Sequence, residues 1–356
     1  MKIVKIAVIA FFATIMVSCG TNYRVVTTLD RDGNVIREVY AKADSAFIAG
    51  DLSHNPYLFD ISSGWDIIRF DSVMKYNFFG DEESFNVIVS KKASSIDIFS
   101  KEVICDKDNR EFAAPEETLT KKFKWFYTNY AFTGVYKRLN YNVPVSIDKY
   151  MSPEEQKLWT RGDFNTYGVM NGIEMNDILS EIEGKFMDWY FRNCFEISLN
   201  CIGNLTNDII TETDKDKIYK QFIDRKQGDD ISPKKVCKAL DSYYKTTRFT
   251  ESYKKNEQII DQEFEEETSV VNVVNNTICY ELIVPGRILS ANSPIIDSNT
   301  MIWKVNGIRI LFDDYTLTAE YRVANRWAFI LSGLILITAI VSVALLSMGK
   351  ITAEIN

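Results

Sequence analysis

Five thiols, one imidazole and a scatter of carboxylates are the groups through which this chain of 356 residues could do covalent, metal or acid–base chemistry. Cys105, Cys194, Cys201, Cys237 and Cys279 contain no CxxC pair, and their odd number leaves at least one thiol outside any disulfide set. Cys194 and Cys201 fall seven apart in a helical pattern, on the face that carries Phe186, Trp189, Tyr190 and Ile197. There a thiol packs as a small hydrophobe. The single histidine, His54, sits in a turn-like LSHNPY stretch, so zinc is not expected and a Cys–His nucleophile would have to use that one imidazole. Asp177, Glu181, Glu183 and Asp188 offer carboxylates on or near one helix, which paired-carboxylate glycan hydrolysis could use. Their spacing fits a solvated face. The expectation is no catalytic residue, no metal and no cofactor, with a glycan hydrolase as the lesser alternative.

A sixth cysteine has a different setting. Met1 to Ser18 carry Lys2 and Lys5, then the apolar run Ile6 to Val17, then a small residue directly before Cys19, which is the order of an export signal. The run is too short to span a bilayer comfortably. Met16-Val17-Ser18-Cys19 resembles the bacterial lipobox, in which a peptidase cuts ahead of a cysteine already carrying a diacylglyceryl group. Gly20 suits the pattern, and Met16 departs from its usual Leu. Residues 1–18 are therefore read as a lipoprotein signal peptide and Cys19 as the lipidation site. The other readings are an ordinary cleaved signal and an uncleaved anchor.

At the opposite end Trp327 to Met348 runs 22 residues without a charge, long enough at about 1.5 Å per residue to cross a hydrocarbon core of about 30 Å. This predicts one transmembrane helix over 327–348, with 349–356 as a cytoplasmic tail and the main body extracytoplasmic, on the periplasmic side of the inner membrane. The orientation comes from the signal, because Arg322 and Arg326 against Lys350 run counter to the positive-inside bias. Only Gly20 to Asn22 separate Cys19 from the first strand-like run. A body of about 300 residues has a radius of gyration near 19 Å. With so short a tether, both anchors are expected in one membrane with the body held flat against it.

Composition bounds the partners. Apolar residues make up 46% and aromatics 13%, ample for a packed core. Without Lys2 and Lys5 the chain keeps 39 basic against 49 acidic residues, a net charge of −10, which argues against nucleic acid and gives no overall attraction to anionic lipid headgroups. The membrane is the expected partner, through the N-terminal lipid and the C-terminal helix, with a lipid or protein ligand in addition.

The elements that must position any site change period twice along the chain. RVVTTLDRDGNVIREVYA reads as a hairpin around Asp30 to Asn34. Strands are predicted at Trp65–Phe70, Ser84–Ser90, Ser95–Phe99 and, longest, Lys122–Arg138, where Phe123, Trp125 and Tyr127 form an aromatic stripe. That stripe is read as core or sheet cover, with a ligand groove as the lesser reading. From Met151 the period is helical: Ser152-Pro153-Glu154-Glu155 is a helix start, and Met175 to Tyr190 is strongly amphipathic. Shorter helices follow around Ile218–Ile223 and after Ser232-Pro233, then Thr250–Thr268 as an exposed helix or mobile connector. Strands return from Val270, at Thr277–Val284, Arg287–Ala291, Met301–Val305 and Thr316–Val323. The fold class is α+β: an antiparallel sheet shared by N-terminal (19–149) and C-terminal (269–326) strands, a central helical insertion (150–268), and the membrane helix.

Three pieces, the hairpin around Asp32-Gly33, VPGRILSANS followed by TMIWKV around Trp303, and a last strand feeding a terminal membrane helix, resemble the LppM-like family of bacterial lipoproteins. The resemblance covers the first hairpin and the last 80 or so residues, and the helical stretch departs from it. It implies an exported α+β domain that binds membrane lipid or glycolipid rather than catalyses. No ligand residue is carried over. A scaffold that docks a partner in an envelope complex is the alternative.

Overall fold

The computed structural model describes residues 22–62, 64–78, 81–105, 110–113, 115–139, 143–164, 167–206, 210–224, 231–268 and 276–355. Cys19 and the signal lie outside the described residues, as does the return to strand at Val270.

The chain opens as the expected hairpin, β1 (Asn22–Leu29) and β2 (Val35–Ala41). Its turn is built by Asp30, whose carboxylate accepts from the backbone N–H of Asp32, Gly33 and Asn34 at 2.8 Å each, while Gly33 supplies a φ of 96°. The long pair β3 (Asp66–Phe78) and β4 (Asp81–Ala93) follows, then β5 (Glu116–Phe123) and β6 (Tyr127–Tyr136). After the helices come β7 (Thr277–Ile283), β8 (Arg287–Ala291), β9 (Ile295–Asp297), β10 (Thr300–Asn306) and β11 (Tyr315–Ala324).

N- and C-terminal strands do share sheets around a helical insertion, but in two sheets rather than one. Seven strands run in the order β3-β4-β2-β1-β7-β10-β9 and four in the order β5-β6-β11-β8. Pairing is antiparallel except between β1 and β7. That pair is parallel because the long helical excursion returns the chain to the end where β1 begins, and a crossover of such length permits it. The stretch Lys122–Arg138 is a hairpin, not one strand: it turns at Lys124 to Phe126 between β5 and β6. Ser95–Phe99 is not a strand either. Ser95 and Ile96 lead into a short helix, Asp97–Glu102, which buries Ile96 and Phe99 three apart.

The sheets face each other across one core. Tyr130 stacks on Tyr321 within the smaller sheet, and Phe132 reaches across to Tyr280 and Trp303 of the larger. Between β7 and β8 the chain changes sheets at Pro285-Gly286. Gly286 lies so close to β11 that an added Cβ would stand 2.2 Å from the Arg322 carbonyl oxygen, which explains glycine at that position.

The first long-range helix, α1 (Pro153–Arg161), starts at Ser152 with a full capping box to Glu155, as its sequence predicts. Helix α2 (Gly172–Thr206) is 35 residues long and serves two cores. Ile182, Phe186 and Trp189 pack on the sheets, while Cys194, Phe195 and Ile202 join a second core with α3 (Glu212–Asp224), α4 (Pro233–Tyr244) and α5 (Arg248–Glu267). Asn193 sits at the joint, its amide exchanging hydrogen bonds with the backbone of Val145. The stretch Thr250–Thr268 is helical in α5 as far as Glu267, with Thr268 as its C-cap, and buries Tyr253 and Ile260. The chain ends in α6 (Arg326–Ile355), entered from β11 through Asn325 alone.

Candidate functional site

Apolar side chains need cover, and the place where the described fold leaves the most of them uncovered is the end where α6 departs. Arg326–Leu345 is long and apolar enough to cross a membrane, and only 6% of it is buried by the body. The β5–β6 turn folds down beside its first two turns. Phe123 stacks on Trp327 with ring centroids 6.3 Å apart, Trp125 meets Trp327 edge-on at 5.3 Å, and Phe126 lies 4.8 Å from Phe329. Trp125 also donates its indole N–H to the Ser332 hydroxyl at 2.9 Å. These five rings nevertheless remain 40–56% exposed. An exposed indole and phenyl cluster wrapped on the first turns of an apolar helix has the composition of a membrane–water interface.

Asn325 fixes this collar. Its side chain donates to the carbonyls of Lys124 (2.8 Å) and Trp125 (3.1 Å) and accepts from the Thr128 hydroxyl (2.9 Å), while its backbone N–H donates to the Phe126 carbonyl (2.9 Å). The turn contains no glycine or proline; Lys124 and Tyr127 close it with a reciprocal pair of backbone hydrogen bonds, and Asn325, some 200 positions away, braces it.

The second polar feature lies in the core. Arg37 on β2 donates to Glu117 on β5 at 2.7 Å, and Tyr280 on β7 donates to the same Glu117 oxygen at 2.5 Å, so one carboxylate joins the two sheets. Arg37 also donates to Thr27. Burial opposes the charged guanidinium, but the adjacent carboxylate raises the Arg37 pKa above its ordinary value; burial and Glu117 raise that of Tyr280. Arg37, Tyr280, Tyr136 and Tyr23 line a cavity of about 40 Å³, room for water and not for an acyl chain.

The sequence candidates for chemistry are dispersed. None of the five described cysteines is joined in a disulfide. Burial pushes Cys194 up to about 11 and Cys201, Cys237 and Cys279 up to about 12, so these four are protonated and inert as nucleophiles. His54 lies in an exposed turn, bonded to Asp44 at 2.7 Å, and that carboxylate raises its pKa. Burial raises Glu183 and Asp188, yet five residues along α2 place them about 140° apart around the helix. Glu181 pairs with Lys185. Among the described residues no group of His, Cys, Asp and Glu is placed to hold a metal ion. The aromatic stripe of Phe123, Trp125 and Tyr127 is neither core nor groove, because its central residue is in the turn.

The structure also locates the start of β1. Tyr23 shares its cavity with Tyr136, which pairs with Tyr315, and Tyr315 opens the ten-residue strand whose other end meets α6. β1 thus begins roughly 30 Å from the membrane helix. Three residues from Cys19 reach roughly 10 Å at most. For both anchors to enter one bilayer, the strands must therefore lie along its surface.

No protein-family model matches the sequence, and no curated protein matches it. Among solved structures, the NMR structure of the folded domain of Mycobacterium tuberculosis LppM is similar over 86% of this chain and 91% of that one, with 9% sequence identity and a TM-score of 0.25. This weak match extends over more of the chain than the sequence motifs do. At that score it fixes neither fold nor function.

Proposed function

We propose that this protein is a non-enzymatic component of the bacterial envelope that holds its body at a bilayer surface and binds lipid or glycolipid there. The aromatic collar carries the reading, because it places two tryptophans and three phenylalanines where the body meets an apolar helix and the described fold leaves about half of each exposed. Lipid contact then occurs at the surface beside α6 and not in an internal cavity. In the same reading residues 1–18 export the chain, Cys19 is lipidated, the body is extracytoplasmic and the C-terminal tail is cytoplasmic.

Full-length protein in nanodiscs containing phosphatidylcholine with brominated acyl chains tests it: fluorescence from Trp125 and Trp327 should be quenched, and an unquenched spectrum overturns the reading. Native mass spectrometry should find co-purifying lipid. Palmitate labelling should vanish in Cys19→Ala. A reporter fused after Asn356 should be active only in the cytoplasm. The alternative is that the helical lobe α2 to α5, which has its own core, docks a protein partner; loss of a co-purifying protein on deleting that lobe, with no lipid recovered, is the outcome that favours it.

A further inference from the structure

The register of the smaller sheet aligns three cations in one row beside the collar. Lys122 of β5 pairs with Asn129 of β6, Asn129 with Arg322 of β11, and Arg322 with Arg287 of β8. Residues paired across strands share a face, and Tyr130, Phe132, Leu317 and Tyr321, on the alternate positions, are buried; the row therefore lies on the outer face. Across four strands it is roughly 14 Å wide. Arg322 stands four residues before Arg326, where the apolar helix starts.

Two arginines directly opposite each other repel. Here no carboxylate pairs with them: Lys122, Arg287 and Arg322 form no ion pair among the described residues, and Glu320, two positions along β11 on the same face, forms none either. Nor do Lys121, Lys124 and Arg326 around the collar, in a chain that is acidic overall. The Arg322 guanidinium lies 4.5 Å from the centre of the Tyr127 ring, held at the collar side of the row.

We infer that the Lys122–Arg322–Arg287 row is a binding site for the phosphate groups of anionic phospholipid headgroups in the bilayer that α6 enters. A phosphodiester between the two guanidiniums accepts paired N–H bonds from each and removes their repulsion. The site rests on the proposed membrane contact of the collar and adds selectivity to it, since the aromatic rings do not distinguish headgroups while the cations do.

The test compares brominated phosphatidylglycerol with brominated phosphatidylcholine, each as a minor component of phosphatidylcholine nanodiscs holding the full-length protein, with quenching of Trp125 and Trp327 as the readout. Phosphatidylglycerol should quench at about fivefold lower mole fraction, the order expected for juxtamembrane cations. The triple variant Lys122→Gln, Arg287→Gln, Arg322→Gln should bring the ratio to about twofold or less while phosphatidylcholine quenching stays as in the parent, which shows that the variant is folded and inserted. Lys75→Gln, Lys101→Gln, Lys234→Gln, with the same change in net charge at exposed sites elsewhere, should keep the parent ratio. A parent ratio near one, or a triple variant that retains the preference, overturns the row as a site. Quenching by neither lipid instead overturns the collar reading beneath it.

Discussion

Arg37 and Arg322 are both strand arginines lying against aromatic rings, 4.5 Å from Phe99 in one case and 4.5 Å from Tyr127 in the other, yet they face opposite situations. Arg37 is buried, and the fold supplies its counter-charge, Glu117, at 2.7 Å. Arg322 faces outward at the end where α6 departs, opposite a second arginine and without an ion pair among the described residues. The difference separates architecture from function. A charge completed inside the fold holds sheets together, whereas a charge left incomplete at the surface is finished by the surroundings.

The contrast can be broken most directly in the core. Arg37→Met or Glu117→Leu alone should cost about 3–5 kcal/mol of unfolding free energy, because each leaves its partner charged and buried, and the double variant should recover most of it. Denaturant titration in detergent checks both, and a single-variant cost below about 1 kcal/mol would remove the distinction between the two arginines. Gly286→Ala, which drives a methyl into the Arg322 carbonyl, should cost about 1–3 kcal/mol and lower the melting temperature. Asn325→Ala should cost about 1 kcal/mol or somewhat more, seen as faster hydrogen exchange confined to the collar turn. By contrast, the row variants Arg287→Gln and Arg322→Gln should change stability by no more than about 0.5 kcal/mol, since the fold does not depend on them. Smallest of all in structural terms, a thiol reagent at pH 8 should label half-buried Cys105 first. Cys194, Cys201, Cys237 and Cys279 stay protonated below about pH 11 and should react only on unfolding.

What the sequence disclosed was local. The Asp30 turn, the Ser152 capping box and the apolar α6 each depend on residues adjacent in the chain, and each was readable. The β5–β6 turn was not, because Lys-Trp-Phe carries no turn-favouring residue, and the side chain that braces it, Asn325, is some 200 positions away. Ser95–Phe99 misled through its alternating apolar residues, when the decisive feature was Ile96 and Phe99 facing one core. The cation row was invisible for a different reason: its members come from β5, β8 and β11, and only strand register brings them level. The Arg37–Glu117 pair likewise joins residues 80 apart.

The parallel pairing of β1 with β7 has a mechanical side. A pull applied between Asn22 and Ala324 acts at opposite ends of the strands, so it loads the β1–β7 and β1–β2 ladders lengthwise, and their hydrogen bonds share the force instead of opening one after another. The same chain with β1 reversed would unzip from its first residue. With Cys19 lipidated as proposed, tension between the two anchors would run along the strands and be shared by these ladders.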